Sequence, residues 1–268
     1  MTRRVPPTLV VGGLLVALVI VAALASVVWT PSDPSHVEVS ARLKGPTAAY
    51  LLGTDQLGRD ELSRIMAGAR HTLLIGIGVP LGGMAALYRG RLEDATMRFS
   101  DVLLAFPAIL LAIMFAAVFQ PSTVTAMAAI GIALVPVFAR VVRAAGLQVM
   151  QQDYVTVTRT YGAGNGWIFV RHLLPNVSSV LIVQATVAFA VAILAEAALS
   201  YLGLGTPPPT PSWGRMLSES QTFLDQAPLL ALWPGVSIAL TVLGFNLLGD
   251  GLRDLLDPKL VERLPAQG

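Results

Sequence analysis

Apolar residues fall along this chain in long runs separated by short polar intervals. A bilayer core about 30 Å thick is crossed by about 20 apolar helical residues. Six runs approach that length: residues 8–29, 72–88, 102–119, 123–139, 177–204 and 229–248. The pattern predicts an all-α polytopic membrane helix bundle of about six transmembrane helices. It divides the chain into a leading segment 1–7, a first span 8–29, a polar loop 30–71, a membrane core 72–249 and a closing segment 250–268. The run 72–88 is the weakest, holding Pro80 and four glycines, of which Gly78 and Gly82 make a small-x-x-x-small pair. Pro107 and Pro136 fall inside the third and fourth runs. The first run follows Arg3 and Arg4 and contains Ala23-Leu24-Ala25, in the manner of a cleaved signal peptide, but it is long for one and reads as a span.

Between the fourth and fifth runs lies a semi-polar island, residues 153–175, inside a predicted loop 146–176. Tyr154, Val157, Thr158 and Tyr161 fall at i, i+3, i+4 and i+7, so a short helix there has one contact face. Gly162 and Gly164 stop that helix. A second short piece follows in which Trp167, Val170, Arg171 and Leu174 share a face before Pro175 ends it. Two short helices bent around a glycine turn make a knob that a soluble partner grips.

Composition supports the membrane reading. The chain is 54% hydrophobic and 13% charged with mean hydropathy +0.69, whereas soluble domains carry about 25% charge. Cysteine is absent, which excludes disulfides and thiolate chemistry. His36, His71 and His172 are scattered without ligand spacing, so no metal is expected. A net charge of +2 spread over separate loops fits membrane topology better than nucleic acid. With the N-terminus in the cytoplasm, inside segments hold 12 Lys and Arg and outside segments 6. The positive-inside rule then puts both termini and the knob in the cytoplasm, with loops 30–71 and 205–228 outside.

No Gly-x-x-x-x-Gly-Lys-[Ser/Thr] loop is present, and no catalytic or cofactor-binding set comes together, so the chain is not expected to be an enzyme and energy for pumping comes from another polypeptide. Glu196 is the one acidic residue well inside a run, and such residues are costly in lipid. Either it lines a translocation path or it hydrogen-bonds a neighbouring helix near the interface. The second is preferred because the end of the run lies within about three turns. In the loop 30–71, Thr54 or Asp60 is placed to cap a helix that begins near residue 61. Thr206 to Gly214 is proline-rich and extended.

Several of these stretches together resemble a known family. They are Gly53-Thr-Asp-x-x-Gly-Arg-Asp60, Asp101 to Pro107, Gly162 with Leu174-Pro175-Asn176, Ile193 to Gly205, the Pro-rich stretch before Trp213-Gly214, and Gly249 to Pro258. They are similar to inner-membrane permease subunits of binding-protein-dependent ABC importers, in the dipeptide, oligopeptide and nickel branch, with a type I importer permease-like fold. Where that family has Glu-Ala-Ala, this chain has Thr156-Val157-Thr158, so the acidic residue is missing. The run 72–88 is also shorter than the resemblance leads one to expect.

The resemblance implies that the knob docks an ATPase, through Tyr154, Val157, Thr158, Tyr161, Gly162, Trp167, Arg171, Leu174 and Pro175. It implies an outer surface facing a binding protein, with Asp55, Arg59, Trp213 and Arg215 upon it. Implied partners are a second, similar permease subunit, two ATP-binding subunits and an extracytoplasmic substrate-binding protein, all at the bacterial inner membrane. Cargo on this reading is dipeptides or oligopeptides, with nickel or another small solute as the alternative. A secondary transporter is less favoured, because only Glu196 could serve as an ion-coupling carboxylate.

Overall fold

A computed structural model describes residues 6–70, 72, 73, 98 and 101–256. Among these residues there is no strand, only an isolated bridge between Thr54 and Asp60. The helices among the described residues include α1 (Pro7–Val28), α2 (61–70), α3 (Ala108–Phe119), α4 (Thr123–Met150), α5 (Asp153–Thr160), α6 (Asn165–Ile168), α7 (Leu174–Tyr201), α8 (Trp213–Ser220) and α9 (Leu229–Leu256); residues 101–104 are helical as well. Among the described residues four continuous helices are long and apolar enough to cross a bilayer: Pro7–Val28, Thr123–Met150, Gly166–Tyr201 and Leu229–Leu256. Most of the second expected span, residues 74–88, lies outside the described residues.

Proline accounts for two departures from the expected bounds. The third run is not one helix: Pro107, at φ −56° and ψ 130°, stands outside the helical region and starts α3 afresh, leaving a helix of 12 residues. Pro136 by contrast sits within an unbroken α4, whose 28 residues run on to Met150. Residues 146–150 of the predicted loop therefore belong to α4. The last helix also outruns its expected end, so Gly249 to Leu256 continue α9.

Two cores share α7 as a common wall. On one side Val16, Val19 and Ala23 of α1, Ala69 of α2, Ile193 and Ala197 of α7, Trp213 and Met216 of α8, and Ile238 and Phe245 of α9 form a single cluster. On the other, Ala112 of α3 and Ala129, Ile130 and Phe138 of α4 pack against Ala188, Ala192 and Leu199 of α7. Small residues let α1 and α9 approach closely: a Cβ on Gly12 would fall 2.4 Å from the Leu248 nitrogen. The opposite faces of these helices stay open, with Leu14, Leu18, Val21 and Leu24 of α1 exposed, as suits surfaces meeting lipid or another helical subunit.

Candidate functional site

The knob is built from the short helix α5 and the turn that follows it. Asp153 in its first turn and Arg159 in its last suit the helix dipole. Gly162 takes φ +85°, donating its N–H to the Arg159 carbonyl at 2.9 Å while Ala163 N–H reaches the Thr158 carbonyl at 3.2 Å, a Schellman ending. The segment is fastened inward by Val155, Ile168, Leu173 and Val177, all buried, with Ala145, Val149 and Met150 of α4 packed against Leu173 and Val177.

Its outward side carries the residues expected from the sequence. Tyr154, Val157, Tyr161, Gly162, Trp167, Arg171, Leu174 and Pro175 are exposed, Tyr161 at 87%, and Thr158 is half-buried. The second piece departs from expectation. Pro175 does not end it but sits in the first turn of α7, and the helix is continuous from Gly166 to Tyr201. A π-helical stretch, Phe169–Leu173, precedes the proline and accommodates its missing N–H and the bulk of its ring.

That wider turn also brings in a residue that the spacing did not single out. His172 lies five residues after Trp167, well out of line on a regular helix, yet their ring centroids are 5.2 Å apart. The Tyr154 ring is likewise 5.2 Å away, and Thr158 Oγ1 lies 3.4 Å from His172 Nε2. His172 thus joins the two halves of the knob.

A second cluster forms where the loop between α1 and α2 meets α8. Asp55 Oδ1 accepts the N–H groups of Leu57 and Arg59 at 2.8 and 2.9 Å, closing a turn whose Gly58 has φ +76° and packs against the Glu38 carbonyl. Asp55 Oδ2 accepts from Arg59 Nε at 2.6 Å and from Arg64 Nη1. Both arginines then reach Glu219 Oε2, at 3.0 and 2.8 Å, and Arg215 Nε donates to Glu219 Oε1 at 3.0 Å. Asp60 caps α2 by accepting the Ser63 N–H at 2.9 Å. Of the four residues expected to face a binding protein, Asp55, Arg59 and Trp213 are turned inward and buried, and Arg215 is partly exposed.

Burial raises the Glu61 carboxyl to about 8, with Arg64 and Arg59 opposing the rise and Asp55 and Glu219 adding to it. Burial also works against ionisation of Glu219, but Arg64, followed by Arg59 and Arg215, outweighs it and holds that carboxyl below the usual range. Glu196 sits elsewhere, buried at the junction of α7 and α8. It accepts a hydrogen bond from Ser200 Oγ at 2.6 Å, and Ser212, buried at the start of α8, caps that helix by accepting the Arg215 N–H at 3.3 Å. Among the described residues no group of histidine and carboxylate side chains has the geometry to hold a metal ion.

The family described as binding-protein-dependent transport system inner membrane component matches residues 78–262. The dipeptide transport system permease protein DppC of Alkalihalophilus pseudofirmus is 42% identical over 260 residues, covering 94% of this chain and 86% of that one. The di/tripeptide transport system permease protein DppC of Pseudomonas aeruginosa is 43% identical over 265 residues, covering 93% and 88%. The nickel transport system permease protein NikC of Escherichia coli is 37% identical over 257 residues, covering 92% and 93%.

Proposed function

The chain belongs to the family of binding-protein-dependent transport system inner membrane components, and from that premise we propose that it forms half of the translocation pore of an ATP-driven importer of dipeptides or oligopeptides. The observation that carries this reading is the knob, an exposed face of Tyr154, Val157, Tyr161 and Trp167 held on buried anchors between two long helices. Such a surface suits a groove on a separate ATPase, where a few aromatic anchors supply most of the binding energy. The helix leaving it runs 36 residues without a break, from Gly166 to Tyr201. At 1.5 Å per residue it is a lever of about 54 Å. Closure of two ATPases on ATP would draw the knobs together and swing these levers between outward-open and inward-open states.

The knob and both termini lie in the cytoplasm on this reading, supported by the 12 to 6 split of basic residues. The α1–α2 loop and α8 then face the compartment from which a binding protein delivers its cargo. A second, similar permease subunit completes the pore, and hydrolysis belongs to the ATPases. Peptide cargo is favoured over nickel by the higher identity to the peptide permeases, 42% and 43% against 37%. The test is reconstitution in proteoliposomes with the second permease subunit, the ATPases and the binding protein. Labelled dipeptide should accumulate only with ATP and binding protein, and the purified chain alone should hydrolyse none. Hydrolysis by the isolated chain, or accumulation without ATP, would refute the proposal.

A further inference from the structure

The Gly53 to Asp60 signature precedes α2, and two of its side chains, Gln56 and Arg59, reach Glu219 of α8, at 3.4 and 3.0 Å. Arg64 is 2% exposed and bridges two carboxylates far apart in sequence, Asp55 in the loop turn and Glu219 on α8. Arg59 makes the same two contacts in parallel. We propose that Arg59, Arg64 and Glu219 form a buried ionic tie that fastens α8 to the α1–α2 loop, so that loop, α2, α8 and the adjoining end of α7 travel as one body through the transport cycle, with Arg64 as the positioning residue.

The contacts around the tie favour a fixed joint over a latch that opens. Trp213 Nε1 donates to the Ile65 carbonyl of α2 at 3.0 Å, and a Cβ on Gly68 would lie 2.8 Å from the Trp213 ring. Trp213 and Met216 share one core with Ala69 of α2 and Ile193 and Ala197 of α7. On its other side α8 is seated on α7, with Gly214 against the Ala197 carbonyl. Ionic tie, apolar seam and the close seat on the α7 backbone enclose the same short helix. Parting any one leaves buried charge or polar groups without partners, which is the costly outcome for an ion pair. The second core, against α3 and α4, lies on the far side of α7, so relative movement has a separate interface to use.

The inference rests on the permease reading, and the cysteine-free chain permits a test that separates the two. The Arg42 guanidinium lies over the Phe223 ring at 5.7 Å, linking the loop to the segment just after α8 without touching the tie. Arg42→Cys with Phe223→Cys, in the assembled complex in membrane vesicles, is bridged with a short bis-methanethiosulfonate, at rest and again after trapping with ATP and vanadate. The bridging yield should agree within twofold in the two states, and bridged complex should keep its ATP-driven uptake.

A several-fold fall in yield on trapping, uptake lost on bridging and restored by dithiothreitol, or failure to bridge at rest would each overturn the tie. Glu219→Gln, which removes the charge that Arg64 holds on α8, gives an independent readout: uptake per ATP hydrolysed should fall at least tenfold while hydrolysis continues, and an unchanged ratio would overturn the positioning role of the Arg64–Glu219 pair. Should Glu219→Gln not accumulate, the bridging result alone decides. Absence of any complex or uptake in the unmodified protein would speak against the permease reading, whereas a changed yield in an active complex speaks against the tie alone.

Discussion

The ring of His172 stands edge-on to that of Trp167, with centroids 5.2 Å apart and planes inclined by 74°. The Tyr154 ring lies at the same centroid separation from His172, so one imidazole touches two exposed aromatic side chains. Ring pairs of this kind are worth about 0.5–1.5 kcal/mol each. His172→Ala should leave the protein in the membrane at normal level but weaken ATPase co-purification, by roughly tenfold if both contacts count. His172→Phe, which keeps a ring, should retain most of the binding. Equal binding by wild type and His172→Ala in a detergent pull-down would show that His172 does not organise the knob.

Gly162 provides a sharper probe of the same segment. Its φ of +85° resists most side chains, asparagine least, yet a Cβ there would meet nothing within 4 Å. The penalty of substitution is therefore backbone strain alone, about 1–2 kcal/mol for an ordinary residue and more for a β-branched one. Gly162→Val should misplace Trp167 relative to Tyr154 and abolish uptake, whereas Gly162→Asn should be tolerated. Full ATPase binding and uptake by Gly162→Val would mean the turn is only a solvated connector.

The first half of the knob could be read from the sequence because both of its signals are local: the 3.6-residue spacing of Tyr154 to Tyr161 and the glycine that ends it. The second half misled, since Pro175 marks a helix start as well as an end, and the π-helical turn that carries His172 beside Trp167 has no periodic signature. The tie at Glu219 was out of reach for another reason. Its two arginines lie 155 and 160 residues away in sequence, and a polar loop residue looks the same whether it meets water or a distant carboxylate. Hydropathy also cannot sort the faces of a span: Val16 and Val28 share α1, one 6% and the other 89% exposed.

The start of α2 should respond to pH through Glu61, which lies outside the candidate spans. Its carboxyl titrates near 4.5 when free and at about 8 when folded, so between these values the unfolded chain releases a proton that the folded chain keeps. The contribution of Glu61 to stability is complete below about 4.5 and is lost as pH rises through about 8. Glu219, held low by its arginines, acts in the opposite sense and loses its contribution as pH falls. Thermal unfolding of wild type and Glu61→Gln in detergent should show the variant declining less between pH 5 and 8. Parallel curves would contradict the burial of an acid at that position.

Orientation can be read with single cysteines on the native background, which has none. Gln56 lies in the α1–α2 loop and Gln151 in the exposed link between α4 and α5. A cysteine at Gln56 should react with an impermeant maleimide in intact cells, and one at Gln151 only after permeabilisation. The reverse pattern would place the knob outside and remove it from any ATPase.

Gly214 decides how closely α8 sits on α7. A Cβ at that position would fall 2.1 Å from the Ala197 carbonyl oxygen and 2.6 Å from the Ala197 Cα. Both are backbone atoms of a long helix, so no side chain can rotate away and α8 itself must lift. Lifting it draws Trp213 from beneath α2, and overpacking of this kind costs about 1–3 kcal/mol before that loss is added. Gly13 in α1 is the control, since a Cβ there meets nothing within 4 Å. Alanine at Gly13 should leave stability level or raise it by about 0.5–1 kcal/mol through helix propensity. Gly214→Ala should lower the unfolding midpoint by several degrees and cut uptake, while Gly13→Ala does neither. If the two alanine variants unfold alike, α8 does not rest on the α7 backbone and cannot be carried along with it.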